Sequence, residues 1–235
     1  MIVSCDAKSL EWISYLFLSQ DKNGIKEWLD FCDNPTLNDI HTKNQNDLAL
    51  PSRLVSKVFL FRCIYRGPAF AYAHDPDFKG TSTNERFWQR VIDRFFEKYY
   101  GLNQKHTQLI QEATTRGFNV SPFGRVHEHA ARETRQGKKW DVPSICNHIN
   151  QGCGADVMAV ARVSAYNRWK REGFTGKLIS TVHDSIVADV PDDEVQPAIE
   201  LFHDVFKDLP ENISKVYGVD WNLPLICECE SGNSM

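Results

Sequence analysis

A chain of 235 residues, 42% hydrophobic and 11% aromatic, can build one large domain or two interlocked ones, which excludes disordered and collagen-like classes. Its formal net charge of -4 rules out a uniformly basic nucleic-acid binder, so phosphate binding must come from local patches or from a partner. The longest strongly apolar stretch, Trp12 to Leu18, falls far short of the ~20 residues of a membrane span, and MIVSCDAKSLEW lacks the basic start of a signal peptide, so a cytoplasmic protein is expected.

In chain order, Met1 to Cys5 predicts a short strand and Ser9 to Leu18 a helix, with Asp6 at the junction. Ser52 to Tyr65 predicts a longer helix that opens after Pro51 and ends before Gly67-Pro68. His74 to Asn84 and Gln136 to Pro143 read as linkers. Glu85 to Tyr100 and Asn103 to Thr115 form a helical pair interrupted by Gly101, and Ala155 to Arg171 is helical again. Lys177 to Val182 and Ile186 to Val190 are strands flanking His183-Asp184-Ser185. A helix from Glu194 to Lys207 and a strand from Leu223 to Cys229 complete the order. The fold class is α+β, an antiparallel sheet with a large helical insertion.

Two carboxylates, Asp6 at a strand end and Asp184 at a hairpin turn, face one another if their strands are neighbours. Taken singly, Asp6 is a natural helix N-cap and Asp184 an ordinary turn residue. Taken as a pair, they suit magnesium, which prefers oxygen ligands and uses one or two carboxylates beside substrate phosphates. Arg53, Lys57, Phe61 and Tyr65 recur every four residues, a ridge that rotates by only about 40° per step. Two cations followed by two rings can hold a triphosphate and stack a base; a solvated basic turn followed by core aromatics is the plainer account. The seven cysteines form no CxxC, and Cys227 and Cys229 face the same side of a strand. They read as small buried side chains, because the sequence groups no further zinc ligands around them.

Together these segments resemble family A DNA polymerases, the group of bacterial DNA polymerase I and many phage replicative enzymes. IVSCDAKSLEW is similar to the first palm motif through Asp6 and Glu11, and Asp39-Ile40-His41 to a nucleotide-contacting Asp-Ile-His. RLVSKVFLFRCIYRG matches the fingers helix Arg-x-x-x-Lys-x-x-x-Phe-x-x-x-Tyr-Gly with one extra residue before Gly67. RGFNVSPFGRVHEH retains Gly124 and Arg125 of a Gly-Arg-Arg segment, and NHINQGCGADVMAVA retains Asn147, Gln151, Gly152, Ala155 and Asp156 of another. STVHDSIVADVP resembles the second palm motif, Val-His-Asp-Glu, and LPLICECESG the closing palm strand. Ser185 replaces that Glu, Trp12-Ile13 replaces Leu-Arg, Pro143 stands where an Arg is expected, and Ile149 replaces a Pro.

The resemblance implies a right-hand palm formed by residues 1–37 and 146–235, with helical fingers over 38–145 and no thumb or exonuclease domain. It implies template-directed DNA synthesis with two magnesium ions on Asp6 and Asp184 and with Lys57 as a catalytic cation. Glu11, His41, Arg53, Lys57, Phe61 and Tyr65 would bind the deoxynucleoside triphosphate, with Glu11 gating against ribose. Arg125, Asn147, Gln151 and His183 would meet the primer-template. Asp6 stands five residues after the first residue, so a second polypeptide carrying the thumb, and with it any exonuclease, is expected. A non-catalytic accessory protein would have lost a metal carboxylate, and a magnesium nuclease would not need the Arg-Lys-Phe-Tyr ridge.

Overall fold

The computed structural model describes residues 1–37 and 39–234. Asn38, where the fingers are expected to begin, and Met235 lie outside the described residues. The chain opens with β1 (Ile2–Ala7), α1 (Leu10–Ser19), α2 (Lys22–Asp33), α3 (Ile40–Leu48), α4 (Arg53–Ile64) and α5 (Ala69–His74). It continues through α6 (Glu85–Lys98), α7 (Tyr100–Arg116), β2 (Phe118–Val120), β3 (Val126–Glu128), β4 (Arg132–Thr134) and β5 (Gly137–Lys139). It ends with α8 (Val142–Glu172), β6 (Lys177–Val182), β7 (Ser185–Asp189), α9 (Val195–Tyr217) and β8 (Cys227–Gly232). Two units form: Met1–Ser14, Pro122–Gly124 and Gln151–Met235 make one, Tyr15–Ser121 and Arg125–Asn150 the other.

The first unit is built on an antiparallel sheet of order β6-β7-β1-β8. In β1 the alternation of the sequence becomes two faces, with Val3, Cys5 and Ala7 buried and Asp6 exposed on the other side. The central place of β1 follows from its register: Asp6 is opposite Ser185 on β7 and opposite Glu228 on β8. Behind the sheet, α9 buries Ala198, Leu201, Phe202, Val205, Phe206, Leu209 and Ile213, one apolar stripe at helical spacing. Burying those side chains is worth on the order of 10–15 kcal/mol before chain entropy is subtracted. That explains why α9 runs past the expected end at Lys207 and through Pro210, a residue that costs a helix interior about 3 kcal/mol. Ser214 donates from Oγ to the Pro210 carbonyl at 2.8 Å, which recovers one polar contact near the break.

Other boundaries move for identifiable reasons. Asp6 lies inside β1 instead of beyond it, because pairing with both neighbours continues to Asp6 and, on β8, to Ala7. The hairpin turn is only His183-Asp184, since Ser185 pairs with Val182. The β8 ladder starts at Cys227, four residues after the expected start; Pro224 has no N–H to give to a ladder. α8 begins at Val142, thirteen residues before the expected start at Ala155, with Pro143 in its first turn, where a missing N–H does no harm. Ile149 stands within this helix, so no proline follows Pro143 in its 31 residues.

The second unit is mainly helical around an aromatic core. Phe59 lies 5.3 Å from Tyr72 and 5.8 Å from Phe95, and Trp88 lies 4.8 Å from Phe78, ring centroid to centroid. Asp21 caps α2 by accepting from Gly24 N at 2.8 Å and also accepts from Gly101 N at 2.7 Å, at the start of α7. Gly101 therefore belongs to the first turn of α7 and is not a break between helices. A Cβ there would sit 2.9 Å from Asp21 Cα, so the approach of the two segments demands glycine. Buried Glu27, Asn44 and Tyr99 form a polar cluster with half-buried Lys98, in which the Tyr99 hydroxyl donates to Glu27 Oε2 at 2.6 Å. No described helix is long and apolar enough to cross a membrane.

Candidate active site

On the exposed face of the first unit's sheet, Asp6 is flanked by Ser185 and Glu228, its cross-strand partners. Ala7 N donates to the Asp184 carbonyl at 2.9 Å and ties the hairpin turn to β1. Partial burial raises the Asp6 carboxyl above the ordinary range, the charge of Asp184 and a hydrogen bond with it raise it further, and Glu228 adds to this; only Lys8 pulls the other way. Lys8 itself pairs with Glu228. The two sequence-predicted carboxylates are thus brought together, and Glu228 is a third that sequence reasoning missed. Its signal was the alternation CECE, which on a strand puts both glutamates on the face opposite the cysteines.

The turn carrying Asp184 is a two-residue connection in which His183 adopts φ +52°, a left-handed conformation that histidine tolerates better than most residues. His183 is exposed there. Ser185 donates from Oγ to the Val182 carbonyl at 2.9 Å, so the residue that stands in place of a carboxylate closes the hairpin. Glu11, in the first turn of α1, accepts a hydrogen bond from the Gln151 amide of α8. The helices approach closely enough there that a Cβ on Gly154 would lie 3.4 Å from Leu10 Cδ2. Trp12 and Ile13, the two residues after the glutamate, are both buried.

The second unit holds the other predicted residues. In α4, Ser56, Phe59, Leu60, Cys63 and Ile64 are buried, which leaves the Arg53, Lys57, Phe61, Tyr65 ridge on the more accessible side. Ser52 caps the helix by accepting from Val55 N at 3.2 Å. Arg53 is engaged rather than free, donating from Nε and from one terminal nitrogen to the Asp39 carboxylate at 2.8 Å each. Burial pushes the Asp39 carboxyl up, but hydrogen bonds from Arg53 and Thr42 outweigh it and hold the group below the usual carboxylate range. Lys57 is exposed and makes no ion pair among the described residues. The Phe61 ring lies 6.3 Å from His41, and Phe61, Tyr65 and Pro143 border a shallow groove of about 370 Å³.

The extra residue before Gly67 has a definite place. Arg66 takes the left-handed conformation at φ +55° just beyond the helix, and its side chain reaches Asn103 and His106. Gly67 then passes so close to Arg62 that a Cβ would meet its Cγ at 2.6 Å. Arg125 is exposed at a turn where Ser121 N donates to its carbonyl at 2.8 Å. Asn147 is half-buried on α8, and its buried Oδ1 has no hydrogen-bond donor among the described residues. Asp6, Glu11, Gln151, His183 and Asp184 thus belong to the first unit, and His41, Arg53, Lys57, Phe61, Tyr65, Arg125 and Asn147 to the second.

The sequence profile of DNA polymerase family A matches residues 1–235. The chain belongs to DNA polymerase family A. DNA polymerase I of Chloroflexus aurantiacus is 27% identical over 179 residues, covering 72% of the chain and 18% of that protein. DNA polymerase I of Treponema pallidum is 23% identical over 238 residues, covering 99% of the chain and 22% of that protein. A DNA polymerase of Bacillus phage SP01 is 23% identical over 198 residues, covering 80% and 20%. The chain thus spans about a fifth of the length of these family A relatives. Among solved structures, the POL domain of Pol1 from M. smegmatis, in complex with DNA primer-template and dNTP, shares the fold. Its TM-score is 0.78 at 18% identity, covering 99% of the chain and 39% of that protein. The palm-and-fingers resemblance and the α+β class with an antiparallel sheet agree with this family A membership.

Proposed function

We propose that the chain is the palm and fingers part of a DNA polymerase, adding templated deoxynucleotides to a primer 3'-hydroxyl with release of pyrophosphate. The observation that carries this reading is the crowding of Asp6 and Asp184 on one exposed sheet face, with Glu228 beside them. An all-oxygen donor set whose charges repel one another fits magnesium, and Asp6 and Asp184 are the residues that would hold it. Two such ions would supply charge stabilisation for the attacking and leaving oxygens of the displacement.

The chain's own side chains then have separate tasks. Lys57, exposed on the α4 ridge, would neutralise the triphosphate and give a proton to the pyrophosphate leaving group. Arg53 would share its guanidinium between Asp39 and phosphate oxygens, and His41 would hold phosphate beside it. Phe61 would lie against the incoming sugar, and Tyr65 would shape the base pocket. Glu11, steadied by Gln151, would exclude a ribose 2'-hydroxyl. Arg125, Asn147, Gln151 and His183 would contact the primer-template. In these terms residues 1–37 and 146–235 serve as palm and 38–145 as fingers.

The reading places the protein in a bacterial or phage-infected cytoplasm. It has the duplex gripped by a thumb from outside these residues, in our proposal on a second polypeptide that also carries any exonuclease. The test is primer extension with magnesium and four deoxynucleotides, using the chain with and without a co-purifying polypeptide. Templated extension in the presence of that polypeptide supports the reading. DNA and nucleotide binding by the complex without extension would mean a non-catalytic accessory protein and would sink it.

A further inference from the structure

The buried face of the same sheet carries a second cluster of different chemistry. Cys5 on β1 is directly opposite Cys229 on β8, and Cys227, two residues along, points to the same side. The three Sγ atoms lie within 4.8 Å of one another, and none is in a disulfide. From α9, which packs on this face, His203 brings Nδ1 to 3.5 Å from Cys227 Sγ. Zinc binds thiolate at about 2.3 Å and imidazole at about 2.0–2.1 Å in tetrahedral sites, which sets S···S near 3.8 Å and S···N near 3.6 Å. The His203–Cys227 spacing already has that value; the three sulfurs, within 4.8 Å of one another, would close in, and His203 would turn toward Cys5 and Cys229, for all four to meet one ion.

We propose that Cys5, Cys227, Cys229 and His203 form a structural zinc site of the Cys3His type. The donor set is sulfur and nitrogen, which selects a borderline-soft ion over magnesium. Alternation along β1 and β8 separates the two chemistries: Cys5, Cys227 and Cys229 face α9, whereas Asp6 and Glu228 occupy the other face. Cys5 is 0% exposed, Cys227 and Cys229 are half-buried, and His203 is exposed, so an ion has a path in and three ligands that shelter it once bound. On binding, the three thiols release their protons to solvent and neutral His203 completes the shell. The result is a clamp that joins the last strand and α9 to the strand bearing Asp6. Three cysteines packed only as small apolar side chains would not need an imidazole beside one of their thiols.

The test uses the full chain, reduced and stripped with a chelator, with Zn²⁺ and Co²⁺ as probes. The expected result is one zinc per chain by elemental analysis and a higher Tm with zinc. Co²⁺ should give a thiolate-to-cobalt charge-transfer band with the strong visible bands of a tetrahedral site, all displaced by zinc. Cys227→Val combined with Cys229→Val keeps strand propensity and should retain the circular dichroism spectrum while losing zinc altogether. His203→Ala should retain the charge-transfer band, alter the visible bands and weaken zinc binding by at least about 100-fold, since even outer-shell changes cost 10–100-fold. Cys32→Ser, outside the cluster, should change none of these. Substoichiometric zinc in the reduced native chain, a cobalt spectrum without thiolate character, or unchanged zinc binding by the valine pair would overturn the proposal.

Discussion

Acid sensitivity should concentrate at one buried histidine. His106 is fully buried, 5.1 Å from the Tyr15 ring and 5.6 Å from Phe96, with Arg66 Nε 3.4 Å from its Nδ1. Burial, and then the charge of Arg66, push its pKa down from 6.5 to about 3. A histidine depressed in this way leaves stability intact above the unfolded value; as pH falls below 6.5, the unfolded chain takes up a proton that the fold refuses. Each further pH unit then costs up to ~1.4 kcal/mol, so lowering pH from neutral to 5 removes about 2 kcal/mol, or a Tm fall of roughly 4–8 °C for a chain of this size. His106→Gln removes the titration and keeps an acceptor for Arg66. Melting curves of both proteins between pH 5 and 7.5 should therefore diverge in slope, with the variant losing about 2 kcal/mol less on acidification. Parallel curves would refute the assignment of this proton uptake to His106.

Asp6→Asn should raise Tm by up to about 4 °C at neutral pH without magnesium, because like-charged cross-strand neighbours cost about 0.2–1 kcal/mol and the amide keeps the shape. Thermal melts check this, and an unchanged or lower Tm would contradict the crowding of carboxylates there. Lys57→Ala should slow nucleotide incorporation by about 10²–10⁴-fold, the range for loss of a proton donor, with little change in melting temperature. Single-turnover kinetics separates that effect from weaker DNA binding. Tyr99→Phe should destabilise by about 1–3 kcal/mol, because Glu27 loses a buried donor; equal stability in urea titrations would show that water replaces the hydroxyl at no cost.

What the sequence disclosed followed from period and motif. The alternation in IVSC and the four-residue ridge of α4 predict a strand and a helix at the right places, and the pairing of Asp6 with Asp184 becomes meaningful once β1 lies antiparallel beside the strand that leaves the Asp184 turn. What it withheld depends on partners distant along the chain. Nothing local to Arg53 announces Asp39 as its bidentate partner, and Gly101 reads as a helix break until Asp21 is seen against it. Pro210 is an ordinary stop signal, overruled by the apolar stripe on either side of it. Cys5 and Cys229 are 224 positions apart, so a spacing rule for zinc ligands could not pair them; only the β1–β8 register does. Glu228, 222 positions from Asp6, is paired with it only by the same register.

The central claim rests on Asp184 acting with Asp6 in phosphoryl transfer. The direct measurement is addition of one templated nucleotide to a labelled hairpin primer-template, at a chain concentration where fluorescence anisotropy shows the duplex bound, for the native chain and for Asp184→Ala. The account predicts magnesium-dependent addition by the native chain and none above background by the variant, with both binding the duplex equally. Bound duplex that the native chain fails to extend, or extension that Asp184→Ala leaves unchanged, would contradict it.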